Sequence, residues 1–240
     1  MTGFPDVILH ASVDRVKRHP EYAAAKAGDA DSAAILIEQT TLAGSIAAIR
    51  NLSNSGDVTL VPVHAVEDAG VNAIPVALVR RLRDELGWPM ATEIVQSNVV
   101  EHTGADGFGR LARQAQFRGP VVPGLHYLLV DDFVGQGGTL ANMRGHLLAG
   151  GGQVVGATVL TGKLHSLHLA LTDSTLAQLR AKHGKELEDW WFGRFGHTFD
   201  CLTESEARYL ARTPDAERIR DRVAAEKPHG DLGSGGRDRG

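Results

Sequence analysis

Two adjacent carboxylates and a glycine-rich turn lie close together in the middle of the chain. Asp131 and Asp132 follow the apolar residues 128–130, and a Gly-Gln-Gly-Gly-Thr turn occupies 135–139. Where such a turn opens a helix, backbone N–H groups converge on a phosphate, and the helix dipole favours its negative charge. Carboxylates accept hydrogen bonds from sugar hydroxyls and help to hold a hydrated Mg²⁺. These residues predict a site for a phosphorylated sugar, with both aspartates as Mg²⁺ ligands.

A simpler interpretation is that the aspartates end a strand and the glycines form an ordinary turn. For an isolated Gly-Gly-Thr, that interpretation would be preferred. Here an apolar run, two acids, two apolar residues, a glycine-rich turn and a helical pattern follow one another in order. A ligand of an open parallel sheet binds outside the carboxyl ends of the strands, which is where this turn is expected. The combined pattern therefore favours the phosphate site.

Alternating strands and helices are expected to position this site. Apolar and β-branched runs predict strands over 58–63, 91–100, 126–130 and 153–160, and helical spacing predicts helices over 74–86 and 139–149. This alternation predicts an α/β fold, a Rossmann-like parallel sheet flanked by helices. The aspartates should then lie at an exposed strand end.

Helical segments are expected on both sides of the sheet-forming core. We divide the chain into an N-terminal helical extension (1–57), the core (58–163), a C-terminal helical subdomain (164–227) and a glycine-rich polar tail (228–240) that is expected to be disordered. Residues 31–52 predict one long helix behind a cap signal, and 167–183 and 204–225 predict two more. The aromatic run at 189–199 between them is expected to be core, with stacking on a base as the alternative.

Composition limits the classes of partner. The chain has 25 basic and 29 acidic residues and a formal charge of −4, which argues against a nucleic-acid or membrane-surface binder. The single cysteine, Cys201, favours a reducing compartment. The apolar stretch near the start is short and is interrupted by Asp6 and His10, so a cytoplasmic location is expected. Whether the protein forms a homodimer or binds a partner protein stays open.

The segment YLLVDDFVGQGGTL at 127–140 resembles the motif with which type I phosphoribosyltransferases bind 5-phosphoribosyl-1-pyrophosphate (PRPP). That motif is an apolar strand, two acids, two apolar residues and a glycine loop that is rich in Thr and Ser. By this resemblance, Asp131 and Asp132 bind ribose and Mg²⁺. The 5′-phosphate is then held by Gly135, Gln136, Gly137, Gly138 and Thr139. The chain departs from the motif at its first two loop positions, where the family usually has small hydroxyl residues.

A wider resemblance covers about 58–162 and is nearest to the ComF-type branch of the same family. The block VTLVPVHAVEDAGVNAIPVALVRRLRDELGWP at 58–89 is similar to that branch's strand, pyrophosphate loop and helix. The resemblance implies a pyrophosphate-binding loop made of His64, Ala65, Val66 and Glu67. For His64, a packed or solvent-facing side chain remains an alternative.

The segment EHTGADGFGRLARQAQFRGPVVPG at 101–124 is rich in glycine and arginine and has few apolar anchors. In the family, a mobile loop at this place closes over pyrophosphate. The resemblance implies that Arg110 contacts pyrophosphate and that Arg113 stabilises the departing charge, with 102–119 mobile until PRPP binds. A solvated charged loop is the alternative.

The resemblance implies an enzyme that displaces pyrophosphate from PRPP with a nitrogen of a small, nucleobase-like acceptor. Mg²⁺ would be the cofactor, and Asp131, Asp132 and Arg113 the catalytic residues. One alternative is a non-catalytic PRPP or nucleotide sensor that regulates a partner, because a fold alone does not determine activity. Another is a component of a toxin–antitoxin or defence system.

Overall fold

The computed structural model describes residues 3–53, 58–63, 66–67, 70–98 and 107–226. In these residues the strands are β1 (Ile8–Leu9), β2 (Val58–Pro62), β3 (Val66–Glu67), β4 (Gly70–Val71), β5 (Val95–Gln96), β6 (Phe117–Arg118), β7 (His126–Val134) and β8 (Gln153–Gly162). The helices are α1 (Val13–Lys17), α2 (Tyr22–Lys26), α3 (Ala30–Thr40), α4 (Ala43–Arg50), α5 (Ile74–Leu86), α6 (Gly107–Ala112), α7 (Gly138–Ala149), α8 (Asp173–Phe195), α9 (Glu204–Arg212) and α10 (Ala216–Ala225).

A four-stranded parallel sheet in the order β1-β8-β7-β2 forms the centre of the fold. The predicted α/β class is therefore confirmed. β2 is buried along its whole length, as an apolar strand covered on both faces should be. The segment 1–57 is not purely helical, because it contains β1. This strand was not predicted, since two residues are too few to show a strand pattern. Of the predicted strand at 91–100, only β5 is a strand among the described residues 91–98, and it pairs antiparallel with β6.

Helices cover both faces of this sheet. Leu128 and Val130 of β7 belong to a core formed with α3, α4 and α5, whereas Leu129 belongs to a second core that includes Met143 of α7. This alternation follows from the two-residue period of a strand. β7 thus has a strand on each side as far as Val130, directly before the acid pair, and β8 alone pairs with it beyond that residue.

The predicted single helix over 31–52 is wrong, because α3 and α4 meet at an angle of 89°. Thr41 and Leu42 between them have extended backbone angles. The bend lets both helices bury apolar residues in the core shared with α5. No single helix in the described part of the chain is long and apolar enough to cross a membrane; α3 and α4 together meet the length and composition test, but only as this bent pair.

A third core joins α6, α8, α9 and α10. The helix predicted over 167–183 instead begins at Asp173, after its cap Thr172, and continues across a break at Gly184. The helix predicted over 204–225 is two helices, because Pro214 holds the preceding Thr213 in an extended conformation. Trp191 and Phe199 are fully buried, which confirms the core prediction for these two residues, whereas Phe192 is 54% exposed. The tail at 228–240 lies outside the described residues.

Candidate functional site

The acid pair lies near the carboxyl end of β7 but is buried within the strand. β7 continues through Asp131 and Asp132 to Val134, because β8 pairs with it as far as Gly162. Each carboxylate residue is only 7% exposed. The expectation of an exposed pair is therefore wrong, and the reason is that both strands are longer than their apolar runs.

Burial changes the charge of this pair. It raises the pKa of Asp131 well above the ordinary range, and the neighbouring charge of Asp132 raises it further. The N–H of Asp132 donates to Oδ1 of Asp131 at 2.8 Å, which only partly offsets these effects. Burial thus makes Asp131 easier to protonate than an ordinary aspartate.

Two lysines from the N-terminal helices reach the same strand end. Nζ of Lys26, the last residue of α2, lies 3.0 Å from Oδ2 of Asp132. Nζ of Lys17, the last residue of α1, lies 5.2 Å from the ring centroid of Phe133. Sequence reasoning missed both lysines, because no local motif marks them and they are more than a hundred positions from the acids. The one available signal was general, since a buried carboxylate needs a counter-charge.

The glycine-rich turn leads directly into a helix, as predicted. Gly137 is the N-cap of α7 with φ 89°, a left-handed conformation that suits glycine, and α7 begins at Gly138. The first N–H groups of α7 have no partner within the helix. The turn therefore has the backbone form of an anion site.

Arg110 lies beside this turn. Its Nη1 is 3.2 Å from the position that a Cβ on Gly135 would occupy. Nε of Arg110 and Oε1 of Gln136 are shielded from solvent and have no hydrogen-bond partner among the described residues. Polar atoms that are buried without partners are costly, and those at a site often await a ligand. The structure thus brings Arg110 to the turn predicted to bind the 5′-phosphate.

Arg113 is placed at the end of the C-terminal helices. Its Nη2 lies 3.2 Å from Oε2 of Glu226, and its Nε donates to the carbonyl of Gly109 at 3.2 Å. These contacts do not test the predicted action of Arg113 on the leaving group, which stays a prediction.

The segment predicted to be a mobile lid is partly ordered. Residues 107–112 form α6, whose Phe108 and Leu111 are buried in the third core. The interpretation that this segment has few apolar anchors is wrong for this part. Residues 102–106 lie outside the described residues, so closure over pyrophosphate stays a prediction.

The predicted pyrophosphate loop is described only in part. His64 and Ala65 lie outside the described residues. The backbone of Val66 and Glu67 forms β3, which pairs antiparallel with β4. Their role in binding pyrophosphate stays a prediction.

Two residues of α9 and its cap contact the glycine-rich turn. The hydroxyl of Thr203 donates to the carbonyl of Gln136 at 2.7 Å. A Cβ on Gly138 would overlap the carboxyl group of Glu206. Burial raises the pKa of Glu206 to about 7, so its carboxyl group is largely neutral below that pH. Sequence reasoning predicted a helix over 204–225 but missed both contacts.

The donor chemistry of the acid pair fits Mg²⁺. Both candidate ligands are carboxylates, and Mg²⁺ usually takes one or two of these together with substrate oxygens and water. The described residues contain no group of three or more His, Cys, Asp or Glu side chains that could hold an ion. Asp132 is moreover paired with Lys26. Binding of Mg²⁺ here would therefore depend on oxygens supplied by a ligand.

Comparisons with known proteins find similar chains in two bacteria. No family model matches the chain. It is 39% identical over 224 residues to "Protein TraN" of Escherichia coli, covering 93% of this chain and 50% of that protein. It is 34% identical over 145 residues to an uncharacterized protein of Haemophilus influenzae, covering 60% of this chain and 32% of that protein. The chain spans at most about half the length of these curated relatives.

Among solved structures, the chain is distantly similar to phosphoribosyltransferases. An adenine phosphoribosyltransferase matches with 10% identity and a TM-score of 0.33, covering 55% of this chain and 76% of that chain. The adenine phosphoribosyltransferase of Leishmania donovani matches with 17% identity and a TM-score of 0.32, covering 67% and 74%. The UMP synthase of Leishmania donovani matches with 14% identity and a TM-score of 0.31, covering 74% and 35%. The interpretation of the site depends on this chain's own residues.

Proposed function

We propose that the chain binds PRPP and transfers its phosphoribosyl group to a nitrogen atom of a nucleobase-like acceptor, releasing pyrophosphate. The observation that carries this proposal is the continuity of the acid pair, the glycine-rich turn and the start of α7, with Lys26 and Arg110 against them. An anion site and two sugar-binding carboxyl groups on one strand end match a phosphorylated pentose.

In this reaction the bond between C1 of the ribose and the pyrophosphate oxygen breaks, and a bond from the acceptor nitrogen to C1 forms. The nitrogen then releases its proton to the departing pyrophosphate or to water. Asp131 and Asp132 orient the ribose, because their carboxyl oxygens accept hydrogen bonds from its hydroxyls. PRPP carries several negative charges, which Lys26 and Arg110 offset through charge-assisted hydrogen bonds. No side chain acts as a covalent nucleophile.

For other parts of the site, the proposed role is supported only by the resemblance to phosphoribosyltransferases. Mg²⁺, held by the acid pair, would neutralise charge on the leaving pyrophosphate. His64 to Glu67 would contact the pyrophosphate, and Arg113 would act from a closing segment. A cytoplasmic location agrees with PRPP as a small intracellular metabolite and is part of the same proposal.

Calorimetric titration with PRPP and detection of released pyrophosphate would test this function. We expect binding in the presence of Mg²⁺ and slow pyrophosphate release with at least one member of a panel of free bases. The double variant Asp131→Asn/Asp132→Asn is the matched control for the site. A folded wild-type protein that does not bind PRPP would refute the proposal.

A second function, a PRPP sensor without catalysis, is favoured by one observation. Gly135 and Gln136 supply no hydroxyl group to the turn, so Thr139 is its only hydroxyl side chain. Losing two neutral hydrogen bonds weakens binding by about one to two powers of ten at roughly 0.5–1.5 kcal/mol each. Occupancy would then follow the PRPP concentration. PRPP binding without pyrophosphate release for any base or cell extract would favour the sensor.

A further inference from the structure

The cap of α9 is built so that one hydroxyl group can serve two elements. The N–H of Glu206 donates to Oγ1 of Thr203 at 3.2 Å, and Oε2 of Glu206 accepts from the N–H of Thr203 at 2.9 Å. This reciprocal capping box holds the side chains of both residues. The hydroxyl of Thr203 accepts from its own helix and so keeps its hydrogen for the carbonyl of Gln136.

Glu206 and the nearby Leu169 also pack closely against Gly137 and Gly138. A Cβ on Gly138 would overlap the Glu206 carboxyl group, and one on Gly137 would overlap the side chain of Leu169. The carbonyl of Leu169 accepts from the N–H of Glu204 at 3.2 Å, which ties Leu169 to the start of α9. Thr203 and Leu169 are buried, at 0% and 1% exposure. The turn is thus held by hydrogen bonding and by shape from a segment outside the sheet.

Holding one carbonyl also orients the next N–H group. The peptide unit between Gln136 and Gly137 is planar and trans, so its C=O and N–H point in opposite directions. With the carbonyl directed to Thr203, the N–H of Gly137 is directed away from α9. That N–H precedes the first turn of α7, where a phosphate oxygen would be bound.

We propose that Thr203 and Glu206 are positioning residues for phosphate binding, and that they replace from another segment the support that hydroxyls at 135 and 136 would supply within the turn. The proposal rests on the proposed function, because it assigns these residues to the same phosphate-binding turn. It explains why the turn keeps its N-capping geometry although its first two residues carry no hydroxyl.

The experiment compares Thr203→Val, which lacks the hydroxyl, with Thr203→Ser, which retains it. Asp215→Ala is the matched control, because Asp215 caps α10 through the N–H of Arg218 and no described contact joins it to the turn. Amide exchange of Gly137 is measured by NMR without ligand, and PRPP affinity by calorimetry. The exchange measurement tests the contact even if the wild-type protein binds no PRPP, so failure of the proposed function is recognised separately.

For Thr203→Val we expect exchange to be about threefold to tenfold faster and PRPP affinity to fall by a similar factor. Thr203→Ser should restore both, and Asp215→Ala should change neither. Adding Gln136→Thr to Thr203→Val should recover part of the affinity, because a hydroxyl returns to the turn. Unchanged exchange in folded Thr203→Val would overturn the proposal. An equal change in Asp215→Ala would also overturn it. If the wild-type protein binds PRPP, faster exchange in Thr203→Val without weaker PRPP binding would overturn it as well.

Discussion

The N-terminal helices and the C-terminal helices meet the strand-turn-helix unit in different ways. From the N-terminal side, Lys26 and Lys17 bring positive charge to the acid pair and to Phe133. From the C-terminal side, Thr203 brings a hydroxyl to the turn, and Glu206 brings a buried carboxyl group whose pKa is raised to about 7. One flank supplies charge for a ligand, and the other supplies the shape of the turn. The two flanks should therefore respond differently to mutation.

The largest effect is expected at the acid pair that both flanks adjoin. Asp131→Asn/Asp132→Asn should lower PRPP affinity at least 100-fold, because each carboxyl group offers a charge-assisted contact that contributes about 1.5–3 kcal/mol. Calorimetry measures the loss, and circular dichroism checks the fold. Because Asp132→Asn removes a carboxylate partner of Lys26, circular dichroism of a triple variant with Lys26→Met checks whether the changed charge balance disturbs the fold. If the folded double variant bound PRPP with wild-type affinity, the acid pair would not be part of the PRPP site.

On the C-terminal side, Glu206 should make the free energy of unfolding depend on pH. The folded-state pKa of Glu206 is about 7 against an ordinary 4.5, so between these values the folded protein keeps a proton that the unfolded chain loses. The free energy of unfolding should then fall as pH rises through this window, by up to about 3 kcal/mol at 1.36 kcal/mol per pKa unit.

Glu206→Gln should remove this part of the pH dependence, which urea unfolding at pH 5 and pH 8 would measure. Glu217→Gln, at an exposed position of α10, is the matched control for loss of an acidic group. An unchanged pH dependence in Glu206→Gln would show that the group is not buried as described.

On the N-terminal side, removing the charge of Lys26 should lower the affinity for PRPP. Lys26→Met should weaken PRPP binding about tenfold to 100-fold, since a charge-assisted contact contributes roughly 1.5–3 kcal/mol, and the remaining binding should depend less on salt. Lys185→Met removes an exposed lysine that pairs with Asp189, and it is the control for a lost charge. Equal affinities for the two variants would make Lys26 a purely structural partner of Asp132.

The smallest effect is expected within the turn itself. Gln136→Thr should tighten PRPP binding by up to about tenfold, because one neutral hydrogen bond contributes roughly 0.5–1.5 kcal/mol. Adding Gly135→Thr should cancel part of the gain, because its Cβ would lie 3.2 Å from Nη1 of Arg110 and push that side chain aside. Weaker binding by Gln136→Thr, measured by calorimetry, would instead make Gln136 a specific ligand contact.

The sequence alone was enough to predict the parts of the site that are local. The apolar run, the acids, the turn and α7 follow one another within 127–149, and each has a period or a residue type that indicates its structure. The parallel sheet followed from the alternation of such segments. Helix ends were less predictable, as at Thr41 and Pro214, because a break changes only a few residues of a long apolar pattern.

Only the tertiary structure decided which distant groups complete the site. Thr203 meets Gln136 across 67 positions of sequence, and Lys26 meets Asp132 across a still longer separation. The burial of the acid pair likewise follows from the length of β8 and not from the motif. The physical reason is that periodicity encodes which face of an element is buried. Which helix end then lies over a given strand end depends on how the three cores pack.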